Sequence, residues 1–359
     1  MSILNPTAHQ ESSKLLPAQE PSRHRSRITP ATKPASRRAI AMASPDLDRN
    51  VDIVICIPSF RRADHLRLTL DSLFTQQTMR PFAVVLVEND AVGRAAVTVA
   101  HDVFGRSLLN GLCVVEPMQG NCSAINAAFE TARDVFPAAT MILMIDDDEI
   151  ASPVWLERMI IAAETSGADV VGGPVFPRFK APRARSLDRH PAFCPAYHAS
   201  GPVPIIYGSG NCLIRRSTFA QLDDPNFDLR FNFLGGGDTD FFTRCRRAGL
   251  SFYWAADAVI TETVPEARTR TPWLITRGLR IGAINYRIED KVATSLASRA
   301  KLFAKTAARL PLSIWRAAWL ALTAPTLSTA LHPIVVALGS ALAAVGIEPQ
   351  AYKASKITH

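Results

Sequence analysis

Four consecutive carboxylates, from Asp146 to Glu149, are the strongest chemical signal in the sequence, and they directly follow the apolar residues 141–145. Neighbouring carboxylates repel one another, so this arrangement adds nothing to the stability of an ordinary fold. A divalent cation relieves the repulsion, and carboxylate oxygens suit Mg²⁺ or Mn²⁺. The other interpretation is a solvated acidic turn before a helix that starts near Pro153. The residues alone leave both interpretations open.

A second acidic signal consists of Asp238 and Asp240, which follow the glycine run 235–237. Consecutive glycines permit positive φ angles and a close approach of the backbone to a ligand. An aspartate at the start of a helix is commonly its N-cap, which would account for one of the two carboxylates. A cap does not account for the glycine run, so both aspartates are also candidates for chemistry.

Two weaker signals lie earlier in the chain. Glu88 and Asp90 follow the apolar residues 82–87, and Gly120 precedes a run of small residues that ends at Asn126. A helix that starts with small residues can receive a phosphate or the edge of a base. Taken singly, each of these signals is typical of a turn or a cap.

An α/β fold is needed to bring these distant residues together. Apolar, β-branched segments predict buried strands, and the segments between them predict helices. We expect strands at 51–58, 82–87, 112–115, 141–145, 170–175, 205–214 and 252–254 or 258–261, and helices near 65–74, 95–104, 122–134, 153–164, 240–248 and 273–286. The alternation predicts a doubly wound α/β domain with a mostly parallel sheet. Open sheets of this kind bind ligands at the carboxyl ends of their strands.

The charge distribution limits the possible partners. Residues 51–264 carry 19 basic and 24 acidic side chains, whereas residues 265–359 carry 13 and 4. A basic tail on an acidic domain suits an anionic membrane surface better than nucleic acid, whose binding surface would surround the site itself. Hydrophobic residues at 48% and charged residues at 20% exclude a mostly disordered chain and a polytopic membrane protein. The six cysteines contain no CxxC pair, which favours free thiols.

Both ends of the chain differ from its middle. Residues 1–50 read as a disordered basic extension, with Met42 as an alternative start. Residues 291–359 read as a basic, apolar helical tail that associates with a membrane. Within it, residues 317–347 carry no charged side chain, and a helix of that length could cross the ~30 Å hydrocarbon core. A broken hairpin, a single span and a helical pair on a soluble surface all remain open, and the basic, Trp-bearing segment before it predicts an interfacial helix.

The order of the motifs along the chain resembles that of the family 2 glycosyltransferases. The motifs are IPSFRR, VEND, GNCSAIN, IDDDE, YGSGN and GGGDTDFFTR, followed by the basic stretch LITRGLRIG. The resemblance covers residues 51–290 and is closest to bacterial exopolysaccharide and succinoglycan-type sugar transferases. It implies the nucleotide-diphospho-sugar transferase fold (GT-A), a bound Mg²⁺ or Mn²⁺, and inversion at the anomeric carbon.

The resemblance also implies roles for individual residues. Asp238 matches the catalytic base, and Asp146 and Asp148 match the metal-binding DxD motif, with Asp146 also near the ribose. The residues expected to hold the nucleotide-sugar are Pro58, Ser59, Arg61, Glu88, Asp90, Asn126, Asp146, Arg277 and Arg280. Those expected on the acceptor side are Gly210, Asn211, Gly236 and Asp240. Ile125 stands where the family has an arginine, and Gly237 where many members have a glutamate.

The expected activity is transfer of a sugar from a nucleotide-sugar, with UDP favoured, to a glycan or lipid-linked oligosaccharide in surface polysaccharide synthesis. The enzyme would act at the cytoplasmic face of the bacterial inner membrane, peripherally or through its C-terminal segment. A nucleotidyltransferase is one alternative, although the segment IPSFRRADH lacks the glycine-rich loop that such enzymes use. A catalytically weakened sugar-nucleotide-binding protein of the same fold is the other.

Overall fold

The computed structural model describes residues 38–180, 182, 185–322 and 326–347. Its strands are β1 (Ile40–Ala43), β2 (Ile53–Ser59), β3 (Phe82–Glu88), β4 (Gly111–Val115), β5 (Met141–Met144), β6 (Glu149–Ala151), β7 (Val170–Gly172), β8 (Val175–Phe179), β9 (Gly201–Pro202), β10 (Cys212–Arg215), β11 (Phe252–Trp254) and β12 (Ile260–Val264). Its helices are α1 (Ala63–Phe74), α2 (Ala95–Val103), α3 (Asn121–Val135), α4 (Trp155–Ser166), α5 (Arg216–Ala220), α6 (Gly237–Arg247), α7 (Thr271–Asp290), α8 (Leu296–Ala321) and α9 (Leu327–Ala344).

The larger sheet has the order β1-β4-β3-β2-β5-β10-β7-β11-β9, and its central strands β4, β3, β2 and β5 are parallel. Every residue of β2 is buried, because helices cover both faces of the sheet and an apolar β-branched run is stable there. Parallel neighbours end at one edge, so β2, β3 and β5 deliver their following residues to the same side. The predicted α/β class is confirmed.

Beyond β5 the sheet is mixed. β10 lies between β5 and β7 and runs antiparallel to both, with Cys212 opposite Met144. Residues 203–211 return the chain to the carboxyl edge of β5, so β10 begins at that edge and has to run the other way. The expectation of a mostly parallel sheet therefore describes the central strands, while the flank is mixed.

A second, three-stranded sheet with the order β6-β12-β8 lies next to the acidic run. β6 begins at Glu149 and pairs antiparallel with β12, which places Glu262 opposite Glu149. The amide of Thr263 also donates to the carbonyl of Asp148 at 3.3 Å. This pairing brings a carboxylate from more than 100 residues away to the end of β5.

The N-terminal prediction needs a correction. Residues 38–50 are not disordered, because β1 pairs antiparallel with β4 and the guanidinium of Arg38 forms ion pairs with Glu116, at 2.7 Å, and with Glu130. Met42, the alternative start, lies inside β1. The remainder of the predicted extension, residues 1–37, lies outside the described residues.

The C-terminal helices pack on one another. Gly282 of α7 and Gly339 of α9 are in contact: a Cβ on Gly339 would come within 2.0 Å of the carbonyl oxygen of Leu279. The Ser340 hydroxyl donates to the carbonyl of Gly282 at 2.9 Å, and α8 packs on the other side of α9. Among the described residues, α9 is the one helix long and apolar enough to cross a membrane by length and composition, and part of it is buried against α7.

Candidate active site

The carboxyl edge of the central strands collects the predicted polar residues. β2 ends at Ser59, β3 ends at Glu88, and β5 leads directly into Asp146. The hydroxyl of Ser59 donates to Asp147 at 2.9 Å, which joins the first-strand loop to the acidic run. The structure therefore brings together side chains that are 88 residues apart in sequence.

Asp147, the middle residue of the acidic run, organises this edge. Its carboxylate accepts hydrogen bonds from the hydroxyl of Ser59, from the amide of Phe60 at 3.2 Å and from Arg62 at 3.0 Å. The same Arg62 nitrogen lies 2.7 Å from Asp148. Sequence reasoning gave Asp147 no role of its own and did not single out Arg62. The available signal was that Arg62, the second arginine of IPSFRR, is a possible ion-pair partner for the carboxylates.

The acidic cluster, which we define as Asp146, Asp148, Glu149 and Glu262, places carboxylates next to one another in a largely buried setting. Burial raises the pKa of Asp146, and repulsion from Asp148 raises it further. Burial and the charge of Asp146 likewise raise the pKa of Glu149, while burial raises that of Glu262. Charged carboxylates are costly in this setting, so the cluster favours a cation. The sequence indicated Glu149 only as a member of the acidic run, without a role of its own, and gave no sign of Glu262.

The acidic cluster offers the carboxylate oxygens that a hard divalent cation prefers. Within the described parts of the chain, no group of three or more His, Cys, Asp or Glu side chains is arranged so that it could hold a metal ion. Mg²⁺ is commonly held by only one or two carboxylates, with phosphate oxygens of the substrate completing its coordination. Asp146 and Asp148, whose neighbours repel them, provide oxygen donors of that kind at a strand end.

Gly210 explains how Glu149 fits beneath the loop before β10. A Cβ at residue 210 would come within 2.5 Å of a Glu149 carboxylate oxygen, so only glycine leaves room. The other Glu149 oxygen accepts the amide hydrogen of Asp146 at 2.8 Å. Gly210 therefore contacts the acidic cluster, and its assignment to the acceptor side stays a prediction.

Asp238 lies at the start of α6, half-buried and next to Gly236, which has a φ of +86°. One carboxylate oxygen accepts the amide hydrogen of Thr239 at 2.7 Å. The other lies 4.0 Å from the position that a Cβ on Gly208 would take, so the loop before β10 approaches it without covering it. Burial raises the pKa of Asp238, and the charge of Arg277 opposes that rise. A carboxylate with a raised pKa and an open side is suited to accept a proton.

One buried thiol connects Asp238 with the acidic cluster. Burial raises the pKa of Cys212, and the charges of Asp146 and Asp238 raise it further, so both carboxylates lie within electrostatic reach of the same sulfur. Arg277, on α7, lowers the pKa of both Asp238 and Glu262. Its guanidinium lies 5.3 Å from the ring centroid of Trp273. Arg280 lies one turn further along α7.

Asp240 points to a structural ion-pair network instead. It is 2% exposed, and its carboxylate contacts Arg244 at 2.9 Å and Lys291 at 3.0 Å. Lys291 also contacts Asp228 at 2.8 Å, so the network joins α6 to the end of α7. These contacts favour a supporting role over the acceptor-side role, which stays a prediction.

Three further predicted residues also make structural contacts. Asn126 accepts the amide hydrogen of Phe227 at 2.7 Å and donates to its carbonyl at 2.9 Å. Asn211 accepts from the indole of Trp155 at 2.8 Å. A Cβ on Gly236 would come within 2.4 Å of Ile284. None of these contacts tests ligand binding, and each accounts for the residue type without a ligand.

The predicted nucleotide loop is shaped by ion pairs and backbone contacts. Glu88 is fully buried and accepts the amide hydrogens of Asp90 and Ala96, both at 2.7 Å. Arg61, at a φ of +56°, contacts Asp90 at 2.6 Å, and Pro58 is buried in β2. Asp90 and Arg61 are therefore better placed than Glu88 to meet a ligand.

Comparison with known protein families agrees with the geometry of the site. Residues 50–280 match the family described as "Glycosyltransferase like family 2". The chain belongs to that family and is a glycosyltransferase. It is 33% identical over 259 residues to the succinoglycan biosynthesis protein ExoM of Rhizobium meliloti (strain 1021), an alignment that covers 70% of this chain and 79% of that protein. The family predicted from the motifs is confirmed.

The fold is similar to that of a solved mannosyltransferase. The mannosyltransferase PcManGT from Pyrobaculum calidifontis, solved with GDP-Man and Mn²⁺, matches with a TM-score of 0.55 and 17% identity, over 85% of this chain and 89% of that one. TarS from S. aureus matches with a TM-score of 0.46 and 13% identity, over 82% of this chain and 54% of that one, so this chain spans about half of it. The likeness to PcManGT confirms a fold of the GT-A type.

Proposed function

We propose that this glycosyltransferase moves a sugar, with inversion, from a nucleotide-diphosphate sugar to a glycan or polyprenyl-diphosphate-linked acceptor, with Mg²⁺ or Mn²⁺ as its cofactor. The observation that carries the proposal is that one loop, before β10, lies next to Asp238 at Gly208 and next to the acidic cluster at the end of β5 through Gly210. An inverting transfer needs one carboxylate as base and a second set of groups at the donor diphosphate. Both are within electrostatic reach of Cys212.

The proposed reaction is a single displacement. An acceptor hydroxyl oxygen attacks C1 of the sugar, the bond from C1 to the diphosphate oxygen breaks, and the nucleoside diphosphate leaves with that electron pair. Asp238 takes the hydroxyl proton, for which its raised pKa suits it. A divalent cation bound by Asp146 and Asp148 would neutralise charge on the diphosphate. Arg277 and Arg280 would add positive charge from α7.

The donor would lie along the carboxyl edge of β2, β3 and β5. The nucleotide would bind where β2 and β3 end. The residues at these strand ends and in the loops that follow are Pro58, Ser59, Arg61, Glu88 and Asp90. UDP is the favoured nucleotide on family grounds, and GDP is the comparison to test, since PcManGT was solved with GDP-Man.

The acceptor is proposed to be a growing surface polysaccharide. Support comes from the relative ExoM, whose name places it in succinoglycan biosynthesis. Such an acceptor is carried on a membrane lipid, so the enzyme would work at the cytoplasmic face of the bacterial inner membrane. The excess of basic residues in the C-terminal part of the chain supports that location.

A donor panel tests the proposal. Full-length protein is incubated with UDP-sugars and GDP-sugars, with Mn²⁺ or with EDTA, and release of the nucleoside diphosphate is measured. We expect slow, Mn²⁺-dependent hydrolysis of one donor class. The control variant is Asp257→Asn, which should hydrolyse the donor as the wild type does. Asp257 is exposed, and its carboxylate pairs with Arg158 at a distance of 3.5 Å, outside the acidic cluster. Equal hydrolysis with Mn²⁺ and with EDTA would contradict the metal assignment. Failure to release a nucleoside diphosphate from any of the donors would contradict the proposed function.

A further inference from the structure

An unusual apolar surface runs along α8, opposite the side that packs on the protein. The buried positions of this helix are Leu302, Thr306, Ser313 and Ala317. The opposite positions, which we call the α8 outer face, are Ala304, Ala308, Pro311, Trp315, Ala318, Trp319 and, at the helix end, Leu322. All seven are exposed, including Trp315 at 68% and Trp319 at 63%.

The α8 outer face differs from an ordinary surface helix, whose outward side is polar. Apart from the adjacent Ala318 and Trp319, its members recur every three or four residues, so the seven form one continuous stripe without a polar side chain. Two exposed tryptophans on such a stripe lose contact with water only when another surface covers them. Contiguous exposed apolar surface of this kind marks an interaction site.

The charges of α8 indicate what covers the stripe. The helix carries five basic residues and no acidic one: Arg299, Lys301, Lys305, Arg309 and Arg316. Lys305 and Arg309 contact Glu289 of α7, at 2.9 Å and 2.5 Å, whereas Arg299, Lys301 and Arg316 are exposed. An apolar stripe with tryptophans, on a helix whose charges are all basic, matches the chemistry of an anionic lipid surface.

The packing of α9 argues against a helix that crosses the bilayer. Its Gly339 lies against the backbone of Leu279, and its Ser340 hydroxyl donates to Gly282. Ala330, Ala337 and Ala343 are buried as well. A spanning α9 would have to give up its contacts with α7, whose first half, up to residue 280, belongs to the part of the chain that matches the family.

We propose that the α8 outer face binds an anionic bilayer in the plane of the interface, while α9 stays packed on α7 and does not cross the membrane. This inference rests on the proposed function, since it gives the surface by which the enzyme reaches a lipid-linked acceptor. In this orientation the indoles enter the boundary between headgroups and acyl chains, and the basic side chains remain at the headgroups.

Vesicle flotation of the full-length protein tests the proposal. Vesicles of phosphatidylcholine alone are compared with vesicles that also contain phosphatidylglycerol, at low and at high salt. We expect binding to the anionic vesicles only, weakening with salt and reversed by alkaline carbonate. Absence of binding to anionic vesicles would overturn the proposal, and resistance to carbonate would show a spanning helix instead.

Paired variants locate the surface. Replacing both Trp315 and Trp319 by alanine should weaken binding to anionic vesicles about tenfold or more, because the buried apolar area is lost. The matched control is Phe74→Ala, which removes an exposed aromatic side chain from α1 and should leave binding unchanged. Equal binding by the double variant would overturn the assignment to this face. So would a wild-type dimer that the double variant disrupts, since the face would then contact a second copy.

Donor binding separates this inference from the proposed function. Calorimetry with UDP and Mn²⁺ in the absence of vesicles reports only on the active site, and the tryptophan variant should bind as the wild type does. Absence of vesicle binding by the wild type, with intact donor binding, would contradict the membrane inference alone. Vesicle binding without any donor binding would contradict the proposed function alone.

Discussion

The acidic cluster and the helical layer α7–α9 differ in how their charges are arranged: like charges adjoin in the cluster, whereas opposite charges pair in the helical layer. In the cluster, burial raises the pKa of Asp146 and of Glu149, and the charge of Asp148 raises both further. In the helical layer, acidic and basic groups are paired, as in the contacts of Glu289 with Lys305 and Arg309, and glycines allow close packing. An arrangement that costs stability is retained where it serves binding or chemistry, whereas satisfied packing indicates a scaffold.

The comparison also concerns the predicted boundary between the catalytic domain and the C-terminal tail. The sequence suggested that the tail begins at residue 291, after the catalytic domain. In the structure α9 packs closely on α7, and Lys291 contacts Asp228 and Asp240 beside the site. Substitutions in the acidic cluster should therefore change function with little change in stability, and those at the α7–α9 contact should do the reverse.

The largest effect is expected from Asp238→Asn. The amide keeps the shape of the side chain and cannot accept the acceptor proton, so transfer should fall by roughly 10²–10⁴-fold. Donor affinity and the thermal midpoint should stay near those of the wild type. Steady-state transfer rates and calorimetry with the donor measure the two quantities. Asp257→Asn is the matched control, and a variant Asp238→Asn within a few-fold of wild type would make Asp238 a helix residue only.

Asp148→Ala should have the next largest effect. It removes an oxygen ligand and one repulsive charge, so we expect Mn²⁺-supported UDP binding to weaken by about tenfold or more. Stability without metal should hold, because Arg62 keeps its contact with Asp147 at 3.0 Å. Calorimetry with UDP, with and without Mn²⁺, measures the change. Unchanged affinity in the presence of Mn²⁺ would remove Asp148 from the metal site.

Sequence reasoning located the edge of the sheet but not the contacts across it. The apolar runs that end at Ser59, Glu88 and Asp146 could be read directly, since parallel buried strands have a local signature. The role of Glu262 could not, because it depends on the pairing of β6 with β12. The structural role of Asp240 likewise depends on its ion pair with Lys291, which lies 51 residues away in the sequence. Long-range partners of this kind leave no mark in local periodicity.

Gly339→Leu tests the helical layer. A side chain at this position meets the carbonyl of Leu279, so we expect a loss of about 2 kcal/mol in the free energy of unfolding, as overpacked sites show. Ala297→Leu adds the same side chain at an exposed position of α8 and should change stability by less than about 0.5 kcal/mol. Denaturant unfolding compares the two. Equal stabilities would mean that α9 does not pack on α7 in solution, which would erase the contrast between the two regions.

The smallest effect is expected from the electrostatic coupling between the two regions. Arg277 of α7 lowers the pKa of Asp238, against the stronger rise caused by burial. Because the base acts in its ionised form, transfer should fall as the pH drops through its pKa, which lies above the ordinary value for an aspartate. Arg277→Gln removes the stabilising charge, so the acidic limb of the pH–rate profile should move to higher pH.

The profile of kcat/KM against pH measures this shift, because it reports the free enzyme. Arg158→Gln is the control, since Arg158 is exposed and contacts Asp257 away from the cluster. A role of Arg277 at the diphosphate alone would lower the rate equally at every pH and leave the limb in place. A shift of the limb would mean that α7, part of the scaffold by its packing, also sets the proton affinity of the base. An unmoved limb with an unchanged rate would remove Arg277 from both roles.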